Sequence, residues 1–187
     1  MTLTVGYLVG SLSASSINRR LARGLARVAP QGMDLVEIQI GDLPLYNRDL
    51  DGDYPEAARR FKEALDSVDA LLWVTPEYNR SIPAALKNAI EWGSRPWGNS
   101  SFTGKPSAVI GASVGPIATA AAQQHMRAIL GFLDSPQMGQ PEGYITFTPG
   151  LVTDDGEITN ESTAEFLTAW MRSFEAHILQ NVERVAA

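Results

Sequence analysis

The chain contains no cysteine among its 187 residues, which excludes disulfides, thiolate metal sites, dithiol redox centres and thiol nucleophiles. Any redox chemistry therefore has to come from a bound cofactor. Basic residues are also few: fifteen Lys and Arg against twenty-one Asp and Glu leave a formal net charge of −6. That balance is the opposite of the basic footprint selected by nucleic acid or an anionic membrane surface. No apolar run approaches the roughly 18 residues of a membrane span. The opening segment MTLTVGYLVGSLSASS has no basic region ahead of its short, strand-like run, so it does not read as a secretory signal. The expectation is a cytoplasmic protein with no nucleic-acid partner and no membrane insertion. Histidine is scarce too, and His125 and His177 lie far apart with neither HxxxH nor HExxH spacing. The acids from Asp49 to Asp53 have no regular ligand register, so no metal site is expected. Neither histidine has the neighbours of a nucleophilic triad, and both read as helix-surface or interface residues.

What is present is a regular alternation of two periodicities. Apolar runs at Leu3–Val9, Asp34–Ile40, Ala70–Val74, Ser107–Ala112 and Tyr144–Phe147 read as strands. Helical patterns over Asn18–Val28, Glu56–Ser67, Pro83–Trp92, Ile117–Leu133 and Thr163–Val182 follow them in turn. The run ALLWV has no polar alternation, as expected of a central parallel strand covered on both faces. Strand–helix repeats of this kind imply a single α/β domain over residues 1–187, a three-layer sandwich around a five-stranded parallel sheet in the doubly wound order 2-1-3-4-5.

In such a sheet the ligand crevice lies beyond the carboxyl ends of the strands where the order reverses, so the loops after strands one, three and four converge there. The first of these, GSLSASSIN, places Gly10, Ser11, Ser13, Ser15, Ser16 and Asn18 ahead of a helix. Small residues admit close approach, hydroxyls donate hydrogen bonds, and the helix start offers unpaired N–H groups, a combination suited to phosphate. Helix capping alone would account for Ser15 or Ser16, but not for four serines between Ser11 and Ser16. Neither GxxxxGK[ST] nor GxGxxG is present, which favours a monophosphate over a nucleoside triphosphate or dinucleotide. The second loop opens TPEYNRSIP, where Glu77, Tyr78 and Asn79 between Pro76 and Pro83 suit either a turn or the edge of a planar heterocycle. The third, GASVGPIATAA, again runs small residues into a helix start. Lys87 and Glu91 read as a solvated i, i+4 pair.

The segments GSLSASSINRRLA, LPLYNRDL, TPEYNRSIPAALKNAIEWGSRP and AQQHMRAIL resemble those of the NADPH-dependent FMN reductases, a flavodoxin-like family that includes quinone, chromate and azo-dye reducers. The resemblance spans roughly residues 3 to 147, and its third segment is the most specific. It implies bound FMN with NADPH or NADH as co-substrate and a small-molecule oxidant such as a quinone. It also implies a homodimer or homotetramer in which the long loop GDLPLYNRDLDGDYP approaches a neighbour's flavin pocket. The family's phosphate contacts carry over to Ser11, Ser13, Ser16, Ile17 and Asn18. Its isoalloxazine contacts carry over to Pro76, Glu77, Tyr78 and Asn79, with Ser113 and Gly115 from the turn after strand four. No catalytic acid, base or nucleophile is implied, because the flavin carries the reaction. The chain departs from the family pattern at Ser13, where many relatives place an arginine on the phosphate, and at Ala118 and Thr119, where glycine is frequent. Arg19 and Arg20 are the nearest cations that could compensate, although their helical positions favour exposure. Two other functions fit the same residues: electron carriage to a protein partner, as in flavodoxins, and a binding protein that keeps the fold without FMN.

Overall fold

The computed structural model describes residues 2–186. Its five strands are β1 (Leu3–Val9), β2 (Met33–Glu37), β3 (Ala70–Val74), β4 (Ser107–Ser113) and β5 (Gly143–Thr146). They form one sheet in the order β2-β1-β3-β4-β5, parallel at every pairing. Five α-helices alternate with them: α1 (Ile17–Arg27), α2 (Glu56–Asp66), α3 (Ala84–Gly93), α4 (Ala120–Phe132) and α5 (Glu161–Ala186). The architecture and strand order are those the sequence pattern implies.

All five residues of β3 are buried, and its side chains divide between two cores, as a sheet covered on both faces requires. Leu72 and Val74 pack with Leu21 and Leu25 of α1 and with Trp170, Met171 and Phe174 of α5. Leu71 and Trp73 face Phe61 and Leu65 of α2, Leu86 and Trp92 of α3, and Met126 and Leu130 of α4. Trp73 is fully buried, and its indole N–H donates to Ser107 Oγ at 3.3 Å.

Three of the boundaries that depart from the periodicity have a visible cause. β2 ends at Glu37 rather than Ile40, although Ile38 and Ile40 stay buried. Ile38 lies over Gly6 so closely that a Cβ on Gly6 would stand 2.5 Å from Ile38 Cδ1. α4 starts at Ala120 rather than Ile117, because Ala118 N–H donates to Gly115 O at 3.0 Å in a separate turn and Ala118 has φ 49°. A left-handed residue cannot belong to a right-handed helix. α5 starts two residues before Thr163, where Asn160 Oδ1 accepts from Thr163 N–H at 2.9 Å and from the Ser162 hydroxyl at 2.8 Å.

The long segment between β2 and α2 is tied down at several points. Pro44 O accepts from Trp92 Nε1 at 2.7 Å and from Asn88 Nδ2 at 2.9 Å, while Asn88 Oδ1 accepts from Tyr46 N–H at 2.8 Å. The rings of Tyr46 and Tyr54 both stand edge-on to Trp92, with centroids 5.1 Å away. Burial pushes the Tyr54 phenol up to about 12. The loop therefore rides on α3. Just ahead of β4, Lys105 donates to the carbonyls of Leu65 and Val68 near the end of α2, and burial lowers its pKa.

Candidate functional site

The loops after β1, β3 and β4 meet beyond the carboxyl edge of the sheet and enclose a cleft of ≈ 260 Å³. Larger hollows exist, of ≈ 410 Å³ beside Asp69 and Lys105 and of ≈ 400 Å³ beside Trp97 and Phe132. Both lie by the segments that lead into β3 and β4, away from the strand ends where a doubly wound sheet binds ligands. Position, rather than size, selects the smaller cleft.

Its first wall comes from the β1–α1 loop. Ser11, Ser13, Ser15, Ser16, Ile17 and Asn18 all line it. Ser16 is the N-cap of α1, accepting from Arg19 N–H at 3.3 Å through its hydroxyl. The next N–H groups, of Ile17 and Asn18, have no protein acceptor among the described residues. Two free donors at the positive end of a helix thus open on the cleft. Ser11 Oγ accepts from Ser13 N–H at 3.4 Å, and the Ser13 and Ser15 hydroxyls stand 3.2 Å apart. These contacts shape the loop around a concave, hydroxyl-rich surface.

Asn18 departs from the role its position suggests. Its side chain is 1% exposed and is fully committed to the peptide of Ala112: Nδ2 donates to Ala112 O at 2.9 Å, and Oδ1 accepts from Ala112 N–H at 2.8 Å. The carboxamide stands in for a strand where β3 has already turned away, and it locks the start of α1 to the end of β4. Only the Asn18 backbone N–H is left to face a ligand.

The second wall is Pro76, Glu77 and Tyr78. Glu77 is the only acid lining the cleft among the described residues, and its side chain is 7% exposed. Both of its oxygens are engaged. One accepts from Ala122 N–H at 3.1 Å, in the first turn of α4, and the other pairs with Arg80 at 3.1 Å. Because Thr119 makes no capping bond from its side chain, Glu77 supplies the helix with the anionic cap it otherwise lacks. Asn79 lies at the exposed tip of the turn, outside the cleft lining.

The third wall is Ala112, Ser113 and Val114. Ser113 Oγ accepts from Gly115 N–H at 3.2 Å, so Gly115 shapes the turn without lining the cleft. Ala118 is the residue at φ 49°, a left-handed backbone that glycine would adopt without steric cost.

Among the described residues no Lys or Arg lines the cleft. Arg19 pairs with Glu37, and Arg20 with Asp154 at 2.7 Å. Both are turned to other partners, and neither replaces the missing cation at Ser13. Among the described residues no group of three or more His, Cys, Asp or Glu could hold a metal, and no helix is long and apolar enough to cross a membrane. Lys87 and Glu91 form the expected i, i+4 ion pair.

Residues 3–149 match the family model described as NADPH-dependent FMN reductase. The chain belongs to that family. It is 47% identical over 178 residues to 2-hydroxy-1,4-benzoquinone reductase of a Burkholderia species, covering 95% of this chain and 97% of that protein. It is 45% identical over 179 residues to a quinone reductase of Pseudomonas putida, covering 95% and 96%. Among solved structures, the flavoenzyme NAD(P)H:(acceptor) oxidoreductase FerB of Paracoccus denitrificans superposes with a TM-score of 0.92 at 41% identity, over 96% of this chain and 99% of that one. This member of the FMN reductase family is therefore an FMN- and NAD(P)H-dependent oxidoreductase. The cleft suits the cofactor's phosphate end: it offers free N–H donors and hydroxyls, and its one carboxylate is already neutralised by partners.

Proposed function

We propose that this reductase passes electrons from NADPH or NADH to quinones, and that FMN occupies the cleft at the carboxyl edge of the sheet. The observation that carries the reading is the convergence of two free N–H groups, a serine cluster and the Pro76–Tyr78 segment in one cleft at the switch point of the sheet. When bound, FMN supplies the hydride and electron transfer.

The protein's own residues bind and orient. The N–H groups of Ile17 and Asn18 and the hydroxyls of Ser11, Ser13 and Ser16 hold the phosphate. Pro76, Glu77 and Tyr78 frame the ring, with Asn79 at the tip of their turn beside it and Ser113 and Gly115 shaping the opposite turn. Glu77 acts by fixing that frame to α4, since both its oxygens are occupied. No side chain is assigned as acid, base or nucleophile. The location is cytoplasmic, and the working form is a homodimer or homotetramer built with the loop that rides on α3. Carriage to a protein partner is the weaker reading. The relatives that cover nearly the whole chain are named as quinone reductases, whereas a Pseudomonas aeruginosa flavodoxin is 20% identical with a TM-score of 0.54 and speaks for the fold alone.

The test is an absorbance spectrum of the protein with FMN, followed by anaerobic NADPH and then a benzoquinone. A protein-bound flavin band that bleaches with NADPH and returns with the quinone is expected. A band that bleaches but is not restored by any small quinone defeats the quinone assignment.

The absence of a cation at the phosphate end gives a second expectation. Ser13 is exposed at the mouth of the cleft, with room for a longer side chain. Ser13→Arg is expected to tighten FMN about 10- to 100-fold, the worth of a charge-assisted hydrogen bond of roughly 1.5–3 kcal/mol. Riboflavin, which lacks the phosphate, serves as the control in the same titration and should bind both proteins alike.

A further inference from the structure

The turn that follows Tyr78 has a backbone its sequence does not favour. Asn79 and Arg80 have φ of 51° and 64°, between reciprocal Tyr78 N–H to Ser81 O and Ser81 N–H to Tyr78 O bonds of 3.0 Å each. Asn is well suited to the first of the two left-handed positions in such a reversal, but the second is normally glycine, and here it is Arg80. Such strain persists only where surrounding contacts enforce it.

Besides the Arg80–Glu77 pair within the turn itself, two contacts do so from outside it, and both come from one face of α4. The first is Ala122 N–H on Glu77, ahead of the reversal. The second is His125, three residues further along the helix, whose Nδ1 lies 2.9 Å from Ser81 Oγ, after the reversal. Residues three apart share a helix face, so the turn is gripped on both of its arms by a single element. The His125 side chain makes no other hydrogen bond among the described residues. Because a serine hydroxyl both donates and accepts, the contact is available to the neutral and the charged imidazole. His125 and Ser81 both line a pocket of ≈ 340 Å³ between α3 and α4, together with Lys87 and Ile129.

We propose that His125 is a positioning residue for the flavin: through Ser81 it fixes the turn that sets Pro76, Glu77 and Tyr78 against the ring. The proposal rests on the reading of the cleft as the FMN site. It assigns His125 a task beyond that of a surface or interface residue, and it touches neither substrate nor cofactor.

The experiment compares wild type, His125→Ala, His125→Asn, Ser81→Ala and the double alanine variant. Amide hydrogen exchange at residues 78–81 is read without FMN; FMN affinity and flavin reduction potential are read with it. His125→Ala and Ser81→Ala should each speed exchange at the turn and weaken FMN by about three- to tenfold, as loss of one hydrogen bond allows. Both should shift the potential. The double variant should add nothing further, and His125→Asn, which keeps a polar atom near the Nδ1 position, should recover most of the loss. A helix-packing role for His125 would act independently of Ser81, and additive losses would therefore overturn the proposal. So would faster exchange with unchanged FMN affinity and potential, or unchanged exchange in both single variants. Failure of the wild type to bind FMN would sink the cofactor reading instead, and the exchange data would still decide whether the clamp exists.

Discussion

Asn18→Leu is expected to lower the free energy of unfolding by roughly 2–6 kcal/mol, at about 1–3 kcal/mol for each buried backbone group left without a partner. The groups are the N–H and carbonyl of Ala112, which have the Asn18 carboxamide at 2.8 and 2.9 Å. Leucine is similar in volume, so the loss isolates hydrogen bonding from cavity formation. A urea titration read by circular dichroism should show an earlier midpoint at unchanged slope. A loss below about 0.5 kcal/mol would mean that the bonds are replaced when the side chain leaves. Asn18→Asp refines the test. It keeps the acceptor for Ala112 N–H but aims a second oxygen at Ala112 O, which only a protonated carboxyl can satisfy. Its folded-state pKa is therefore raised, and its stability is greatest at low pH and falls as the pH rises through that value.

Gly111→Ala addresses the same junction from the other side. A Cβ on Gly111 would stand 2.0 Å from the carbonyl oxygen of Thr75 and 2.5 Å from Thr119 Oγ1. The first of these atoms is backbone, held because Thr75 N–H donates to Ile110 O at 3.0 Å, so it cannot rotate away. Overpacking usually costs about 1–3 kcal/mol, and a backbone collision belongs at or above the top of that range. The expected result is a loss of roughly 3 kcal/mol or more, with FMN affinity falling alongside it, because β4 and the Thr75–Pro76 step separate to admit the methyl. Full stability in Gly111→Ala would show that the two loops can part without consequence.

Much of this structure could be read from local patterns. The run ALLWV predicted a strand buried on both faces, and all five residues are buried. The strand order followed from the strand–helix alternation, since parallel neighbours need crossovers. The three loops at the switch point could be picked out because serines and glycines ahead of a helix, and prolines around Glu-Tyr-Asn, are visible as composition.

What escaped was decided by partners remote in sequence or by backbone angles that leave no periodic trace. The inward commitment of the Asn18 side chain left no local trace, because a polar side chain at a helix start reads alike whether it points out or in; its partner, Ala112, is 94 positions away. Arg19 and Arg20 stood beside the phosphate loop in sequence, but Glu37 and Asp154 hold them elsewhere. The start of α4 was set three residues early because apolar spacing continues through Ile117 while Ala118 turns left-handed. The capping of α4 by Glu77, and the grip of His125 on Ser81, join segments more than forty positions apart. Only Asn160 offered a local signal that could have been used, as a capping residue just ahead of an acidic first turn.

The long loop between β2 and α2 is the part of the chain that length alone would mark as unruly, yet Pro44, Tyr46 and Tyr54 fasten it to Asn88 and Trp92 of α3. Its conformational freedom is surrendered when the monomer folds, before any second copy arrives. Association usually has to bear the ordering of such segments as well as the loss of rigid-body motion. Two subunits meeting along this edge would bring surfaces already in their bound shape, so a contact area too small to order a floppy loop could still hold them together.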